Sequence, residues 1–450
     1  MKKNDVVTVE IEDLTYEGLG VGKLDGFPLF IENALPTEKV LAKVLKVGKN
    51  FGFAKVIEHI TTSLNRVAIK DVVGTRTGTM PLQLLVYSEQ LRFKQEQVKR
   101  VFNSIAKMPE VEIRDTLGME HPYEYRNKAQ IPVRMIDGQL TTGFFRKNSH
   151  EVIPIENFYI QDPKIDQAVV MIRDIMRQFQ VAAYDEHQHT GNLRHIIVRR
   201  GYYTGQMMVV LVTREKQLIN QAEIVTAITQ ALPEVVSIVQ NIHSERSNVI
   251  LGKQIRVLYG QDYYEDELLG LRFKISSRSF YQINPTQTEV LYTEALKAAA
   301  LTGREHVVDA YCGIGTISLS LAKHAKSVHA MEIVSDAIDM ARENARVNRI
   351  ENVVFEVGAA EQVMPMWSKE GLEVDVMVVD PPRKGLAPEF IQAAVEVSPQ
   401  RIVYVSCNPA TLARDVRVFA DDGYAVQYVQ PVDMFPQTTS IECVALLVKQ

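Results

Sequence analysis

Hydrophobic and polar residues alternate from the start of the chain. Val7, Val9 and Ile11 interleave with Thr8, Glu10 and Glu12, the period of a half-buried strand. Gly18, Gly20, Gly22 and Gly26 then predict turns. Residues 27–31 and 39–47 read as further strands, and 54–58 closes the set. Short strands packed into residues 1–60 predict a small β-barrel of the OB kind, a fold often used for nucleic acid. Further on, residues 89–106 carry Leu91, Val98, Val101, Phe102 and Ile105 at helical spacing. Strand-like runs occupy 125–160. Residues 162–180 predict a helix with Asp162 as N-cap and Pro163 at its first position. Strands at 195–200 and 206–213, joined by a turn at 201–205, precede a helix at 220–232 and a strand near 235–240. This mixture predicts an α+β module.

From about residue 270 strands and helices alternate. The runs 307–311, 327–332, 353–357, 375–379 and 401–406 are almost wholly apolar, as strands buried on both faces of a parallel, doubly wound sheet are. Helices at 316–324 and 334–348 separate the first three, and strands at 426–430 and 443–448 finish the sheet.

The 450 residues allow about three domains at roughly 150 residues each. With 50 Lys+Arg against 55 Asp+Glu, the net charge of -5 excludes a uniformly basic nucleic-acid binder. Any RNA contact must use local patches. Lys39, Lys43, Lys46 and Lys49 form one such patch, with Phe51 and Phe53 beside them; Arg126, Lys128, Arg146 and Lys147 form another. Lysines among aromatics suit single-stranded RNA, whose bases stack while its phosphates pair. The other reading is a solvated strand edge with core aromatics. Three cysteines exclude a disulfide framework and a four-cysteine metal or cluster site. No run approaches the ~20 apolar residues of a membrane span. The N-terminus lacks the apolar core of a signal peptide, so the expected compartment is the cytoplasm, with no membrane partner.

The candidate chemistry lies at strand ends. Asp309-Ala310-Tyr311-Cys312-Gly313-Ile314-Gly315-Thr316 is a strand, a glycine turn and a helix start, where a backbone can approach a ligand closely. Glu332 ends the next strand, where an acid can bind ribose hydroxyls. Asp380-Pro381-Pro382 follows another strand and fixes a rigid loop without spare backbone donors. That combination suits S-adenosylmethionine enzymes better than dehydrogenases. Cys407 ends the strand 401–406 just before Asn408-Pro409, on the same rim as Asp380. Cys312 and Cys443 read as small buried hydrophobes. Glu442 interrupts an apolar strand, which is costly unless the carboxylate is paired or functional. A thiol and a carboxylate facing a methyl donor suit C5 methylation of uracil, with Cys407 as nucleophile, Glu442 as base and Asp380 orienting the pyrimidine edge.

These segments, together with Ser279-Phe280-Tyr281-Gln282-Ile283-Asn284, Asp380-Pro381-Pro382-Arg383-Lys384-Gly385, Ser406-Cys407-Asn408-Pro409 and Ile441-Glu442-Cys443, resemble the RNA 5-methyluridine methyltransferases, specifically the 23S ribosomal RNA (uracil-5-)-methyltransferases. The resemblance covers essentially the whole chain. It implies a TRAM barrel at 1–60 that binds RNA, a central α+β RNA-binding domain at 61–265 with helix 89–106 available to pack on the catalytic domain, and a Rossmann-like class I methyltransferase domain at 266–450. It implies S-adenosylmethionine contacts at Gln282, Tyr311, Gly313, Gly315, Glu332 and Asp380, the nucleophile at Cys407 and the base at Glu442. Tyr125-Arg126-Asn127-Lys128 and Gly143-Phe144-Phe145-Arg146-Lys147 resemble central-domain segments of the same family.

One segment departs from the pattern. Many members hold an iron–sulfur cluster through a C-G-G-C-x-L-Q run, which here reads Thr77-Gly78-Thr79-Met80-Pro81-Leu82-Gln83. The expectation is therefore no iron–sulfur cluster and no metal. Ribosomal RNA is the expected partner of a monomeric chain, with tRNA the alternative target. A non-catalytic RNA-binding or assembly protein would have no use for Cys407, Glu442, Asp380 and Glu332 all intact. Amino-group methyltransferases share an Asp/Asn-Pro-Pro loop but need no thiol, whereas 5-methylcytosine formation does use one and would want a carboxyl donor toward N3.

Overall fold

A computed structural model describes all 450 residues. Strands β1 (Val6–Leu14), β2 (Gly20–Leu24), β3 (Phe27–Glu32), β4 (Lys39–Val47) and β5 (Gly52–Thr61) close into a barrel in the order β1-β2-β3-β5-β4. Alternating Val9, Ile11, Leu29, Ile31, Val40 and Ala42 point inward and form its core. Gly18 and Gly26 do sit in turns at positive φ. Gly20 and Gly22, expected in turns, lie within β2 instead. A Cβ at Gly22 would stand 2.3 Å from Val9 Cγ1, so glycine permits the tight curl of a small barrel.

Helix α1 (Tyr87–Val101) passes into a π-turn at Phe102–Ala106, so the predicted single helix is a helix and a wider terminal turn. Its buried side differs from the apolar stripe of the sequence. Val98 and Phe102 are buried as expected, but Ile105 is 42% exposed, and Gln90 and Lys94 are buried in the place of apolar residues. Val98, Phe102 and Ala106 join the core of the C-terminal sheet, so α1 packs on that domain.

The central part holds β6 (Lys128–Ile136), β7 (Gln139–Phe145), β8 (Val152–Pro154), α2 (Pro163–Gln178), β9 (Leu193–Arg200), β10 (Met207–Thr213), α3 (Gln221–Ala231), β11 (Val235–Ile242) and β12 (Gln254–Gly260). Its seven strands run in the order β12-β11-β10-β9-β6-β7-β8. Helices α2 and α3 cover one face through Ala129, Ile131, Val133, Ile196 and Val198. On the opposite face, Ile197, Met208, Val210 and Val239 merge with the core of the C-terminal domain. The hairpin β13 (Tyr263–Leu268) and β14 (Leu271–Ser276) bridges the two parts, with residues 265 and 266 inside its first strand.

The C-terminal domain holds α4 (Pro285–Ala299), β15 (His306–Ala310), α5 (Thr316–Ala322), β16 (Ser327–Glu332), α6 (Ser335–Val347), β17 (Val353–Val357), α7 (Ala360–Lys369), β18 (Val376–Val379), α8 (Pro388–Val397), β19 (Arg401–Ser406), α9 (Pro409–Asp421), β20 (Tyr424–Val432) and β21 (Glu442–Lys449). The strand order is β17-β16-β15-β18-β19-β21-β20. The first five strands are parallel, as their apolar runs predict. The last two depart from that pattern, because β21 inserts antiparallel between β19 and β20.

The segment entering β21 is held by a buried polar network. Lys94 Nζ meets Asp433 Oδ1 at 2.5 Å with both side chains fully buried, Tyr87 Oη donates to Asp433 Oδ2, and Gln90 bonds Gln437 through both its amide and its carbonyl. A charge left unpartnered at such a depth costs about 3–5 kcal/mol. Lys94→Met should therefore lower the urea unfolding midpoint of the intact chain strongly, and the double variant Lys94→Met/Asp433→Leu should recover much of the loss. Equal midpoints for the Lys94→Met variant and the parent would show that the pair contributes nothing.

Candidate active site

Four of the five parallel strands of the C-terminal sheet, β15, β16, β18 and β19, end in or next to a chemically useful group. At the end of β15 the chain turns through Tyr311 (φ 70), Gly313 (φ 55) and Gly315 (φ 86). A bulky residue at positive φ is costly and persists where its surroundings hold it; Tyr311 is held half-buried, its ring centroid 6.0 Å from that of Phe390. No heavy atom lies within 4 Å of where a Cβ of Gly313 would stand, so the turn faces open space. Glu332, at the end of β16, accepts from the backbone N–H of Gly313 (3.2 Å) and of Val334 (3.0 Å). A carboxylate has about four lone-pair positions, so two remain for hydroxyls of a ligand. Beneath the turn, buried Asp309 accepts from Ser318 Oγ, while its Oδ1 has no partner. Burial raises Asp309 to about 7.

On the other side of the crevice the loop 277–284 presents Gln282, whose backbone carbonyl accepts from Asn127 Nδ2 at 3.0 Å and whose side-chain amide makes no bond within the chain. Asn284 caps α4 through Gln287 N–H. Phe280, 70% exposed, stands on the same loop. An orphaned carboxylate oxygen, a turn opening to space, a free amide and a strand-end acid are donors and acceptors suited to the ribose and amino-acid groups of S-adenosylmethionine.

Asp380, Cys407 and Glu442 come together at the ends of β18 and β19 and the start of β21. The ladder ends with Ser406 paired to Cys443; Cys407 and Glu442 each lie one residue beyond that pair, and both Glu442 and Asp380 act electrostatically on the thiol. Cys443 points to the opposite face and is buried in the core, as the sequence suggests, and Cys312 is buried in the turn. Glu442 is raised well above the usual carboxylate range by burial and by Asp380, with Arg383 opposing. Burial alone takes Asp380 to about 7. Cys407, half-buried, is raised by burial, then by Glu442 and Asp380, and Arg383 again opposes. Arg383 lies in the Asp380–Gly385 segment, and its motif alone does not single it out as a site residue. Its loop is tied to the thiol's, since its backbone carbonyl accepts from Asn408 Nδ2 at 3.0 Å.

The basic residues divide. Arg126 and Lys128 flank Asn127, which binds the 282–283 backbone, so they stand beside the loop that carries Gln282. Burial, with Arg199 and Arg126 nearby, brings Lys128 down to about 8. Arg146 is paired with Glu151 at 2.6 Å and Lys147 with Glu32 at 3.2 Å, the latter joining central sheet to barrel. Lys39 faces Glu10 at 3.6 Å. Such exposed pairs are weak, about 0–1 kcal/mol, and readily exchanged for phosphate. Lys46 and Lys49 are exposed, Lys43 is half-buried, and none of the three is in an ion pair. Phe30, Phe51 and Phe53 cluster beside them with centroids 5.2–5.8 Å apart, outside the barrel's core. The frame at 77–83 is filled by other means. Thr77 Oγ1 donates to Gly74 O at 2.6 Å, and Met80 packs with Tyr125, Phe158 and Ile160. No group of three or more His, Cys, Asp or Glu side chains is placed to hold a metal ion.

The sheet order, the glycine turn and the strand-end acids define a class I S-adenosylmethionine-dependent methyltransferase. The tRNA (uracil-5-)-methyltransferase family matches residues 86–450 and the TRAM domain matches residues 2–57, so the chain belongs to the TRAM-containing RNA (uracil-5-)-methyltransferases. A protein of Enterococcus faecalis described as an uncharacterized RNA methyltransferase is 57% identical, over 100% of this chain and 98% of its own. One of Lactiplantibacillus plantarum with the same description is 55% identical, over 100% and 98%. Among solved structures, the Pyrococcus abyssi tRNA (uracil-54, C5)-methyltransferase in complex with S-adenosyl-L-homocysteine superposes with a TM-score of 0.78 at 25% identity, covering 98% of this chain and 100% of that one. S-adenosylmethionine is the methyl donor. No helix is long and apolar enough to cross a membrane.

Two outcomes follow from the electrostatics. Arg383 holds the Cys407 thiol down, so Arg383→Gln should move the pH profile of Cys407 alkylation by iodoacetamide to higher pH; an unmoved profile would show that the guanidinium does not act on the thiol. Lys128 should lose its proton between pH 7 and 9, so RNA affinity should fall across that range and the magnitude of the salt slope should drop by about 0.7. Lys128→Met should abolish that pH dependence, and an unaltered one would place the titrating group elsewhere.

Proposed function

We propose that this enzyme methylates uridine C5 in 23S ribosomal RNA through a covalent adduct on Cys407. The observation that supports the reading is a half-buried thiol and a buried carboxylate, each next to the Ser406–Cys443 pair of adjoining strands, which act on one another electrostatically. Gln282, Tyr311, Gly313, Gly315, Glu332 and Asp380 would hold the donor, with Glu332 on the ribose. Asp380, near 7, keeps a proton part of the time and can hydrogen-bond the pyrimidine edge in either state.

Uracil C5 is a poor nucleophile. The Cys407 thiol first gives up its proton to solvent; the thiolate then adds to C6, forming a C6–S bond and moving the C5–C6 electron pair into an enolate. Bound S-adenosylmethionine supplies an electrophilic methyl carbon, which C5 takes, and S-adenosylhomocysteine remains. Glu442 then accepts the C5 proton. The released pair restores C5=C6, the C6–S bond breaks, and the thiolate is freed. Glu442 takes this proton in its ionised form, which burial and Asp380 oppose and Arg383 favours. Lys43, Lys46, Lys49 and the barrel phenylalanines would take single-stranded RNA, with Arg126 and Lys128 on phosphates next to the target. One chain supplies every one of these groups, which supports action as a monomer, and a ribosomal RNA substrate places the enzyme in the cytoplasm.

A second reading, methylation of tRNA, is favoured by the likeness to the Pyrococcus tRNA enzyme. Incubation with 5-fluorouridine-substituted 23S RNA and S-adenosylmethionine should give a covalent protein–RNA complex that Cys407→Ala abolishes while donor binding persists. A complex formed with 5-fluorouridine tRNA and not with 23S RNA would establish the second reading; residual methylation by Cys407→Ala would remove the thiol from the mechanism.

A further inference from the structure

A cavity of about 720 Å³ lies on the central sheet, away from the methyl-donor crevice. That volume falls within the roughly 300–1,000 Å³ of small-ligand sites. Its position follows from strand geometry. On β6, Ala129, Ile131 and Val133 face helix α2, so Lys128, Gln130, Pro132 and Arg134 share the opposite face. This row starts beside the Gln282 loop at Lys128 and ends at Arg134 in the cavity wall, about 20 Å away at ~3.3 Å per residue. The adjacent strand sets Arg199 opposite Lys128 and His195 opposite Pro132.

The walls are built from cations and flat rings. Arg194, buried, donates from Nη1 to the carbonyls of His243 and Glu245 (2.8 Å each) and from Nη2 to Ser247 (3.3 Å), with its guanidinium 4.2 Å from the centre of the Tyr184 ring. That lattice fixes a planar platform before any ligand arrives. Arg134 lies 5.4 Å from the Phe145 ring centre, and its Nη2 donates to Glu186 at 3.3 Å. His195 lines the cavity with a buried Nδ1 that has no partner, and burial, then Arg134 and Arg194, lower it to about 3, so its ring is neutral. Arg246 stands exposed at the mouth, in no ion pair.

Resting on the reading of the chain as a uridine methyltransferase of large RNA, we propose that this cavity is a second nucleotide site, which takes an unstacked base of the same RNA strand a few nucleotides from the methylated uridine, with the phosphate on Arg246. Flipping one uridine out of its loop unstacks its neighbours, and an unstacked base gains from a rigid aromatic or guanidinium face. The row from Lys128 to Arg134 gives the strand a polar and cationic path between the two sites. Arg134, Arg194 and Arg246 in the walls favour a phosphate-bearing strand over a protein partner.

The test uses the full chain and single-stranded RNA oligonucleotides of one sequence around the target uridine, lengthened by one nucleotide at a time on either side. Affinity should rise by about tenfold at one step, on one side only, which is the size of one base stacked on an aromatic face. Arg246→Glu should lose that step yet bind the shorter oligonucleotides and S-adenosylmethionine as the parent does, and Arg246→Lys should keep it. A 4-thiouridine at the step position should cross-link to peptides spanning 184–195 or 246–250. No step, a step that survives Arg246→Glu, or cross-links confined to other peptides would overturn the proposal, as would a cavity filled by a ribosomal protein with RNA affinity unaffected. These readouts need no chemistry, so failure of Cys407 to form an adduct would be seen separately.

Discussion

The active site depends on one piece of strand register. An all-parallel sheet presents only carboxyl ends on its working edge, and each can offer a turn or a loop residue. By running antiparallel beside β19, β21 presents its amino end there instead, and Glu442 is its first residue. A thiol at the end of one strand and a carboxylate at the start of its neighbour thus come to the same edge, although they are separated by a helix, a strand and a loop in the chain. A slip of one residue would turn Glu442 to the other face of the sheet and bring Cys443 in its place.

That placement concentrates negative charge. Asp309, Asp380 and Glu442 are all raised, each first by burial, and Cys407 is pushed up with them. Arg383 is the one cation that acts on both Cys407 and Glu442, and its loop is fastened to Asn408, the N-cap of α9. The resting thiol is therefore largely protonated, which would suit the proposed nucleophile by keeping it unreactive until RNA arrives. Behind the rim, the Lys94–Asp433 pair and the Gln90–Gln437 bonds tie α1 to the segment that leads into β21. A helix from the front of the chain thereby ties down the segment that leads to Glu442 across a separation of 339 residues.

Much of this was legible in the sequence because it is local. Alternation marked the barrel strands, apolar runs marked the parallel sheet, and each motif lay where a strand ends. The Asn-Pro pairs at 284–285 and 408–409 are local too, an N-cap followed by proline at the first helical position. What escaped was non-local or context-bound. Lys94 reads as a solvated helix position, because nothing near it announces Asp433. Gly20 and Gly22 read as turns, because the close approach of Val9 and Ala34 appears only when the barrel closes. The central cavity is assembled from several separate segments, so it has no sequence pattern of its own.

The central claim is that Glu442 removes the C5 proton from an adduct held by Cys407. RNA carrying [5-³H]uridine, incubated with Glu442→Gln enzyme and methyl-labelled S-adenosylmethionine, separates the two halves of the reaction. Methyl label should enter a covalent RNA–protein complex while tritium is retained, in contrast to the parent, which should release tritium in step with methylation. Tritium release by Glu442→Gln at the parent's rate would contradict the assignment and place the base elsewhere.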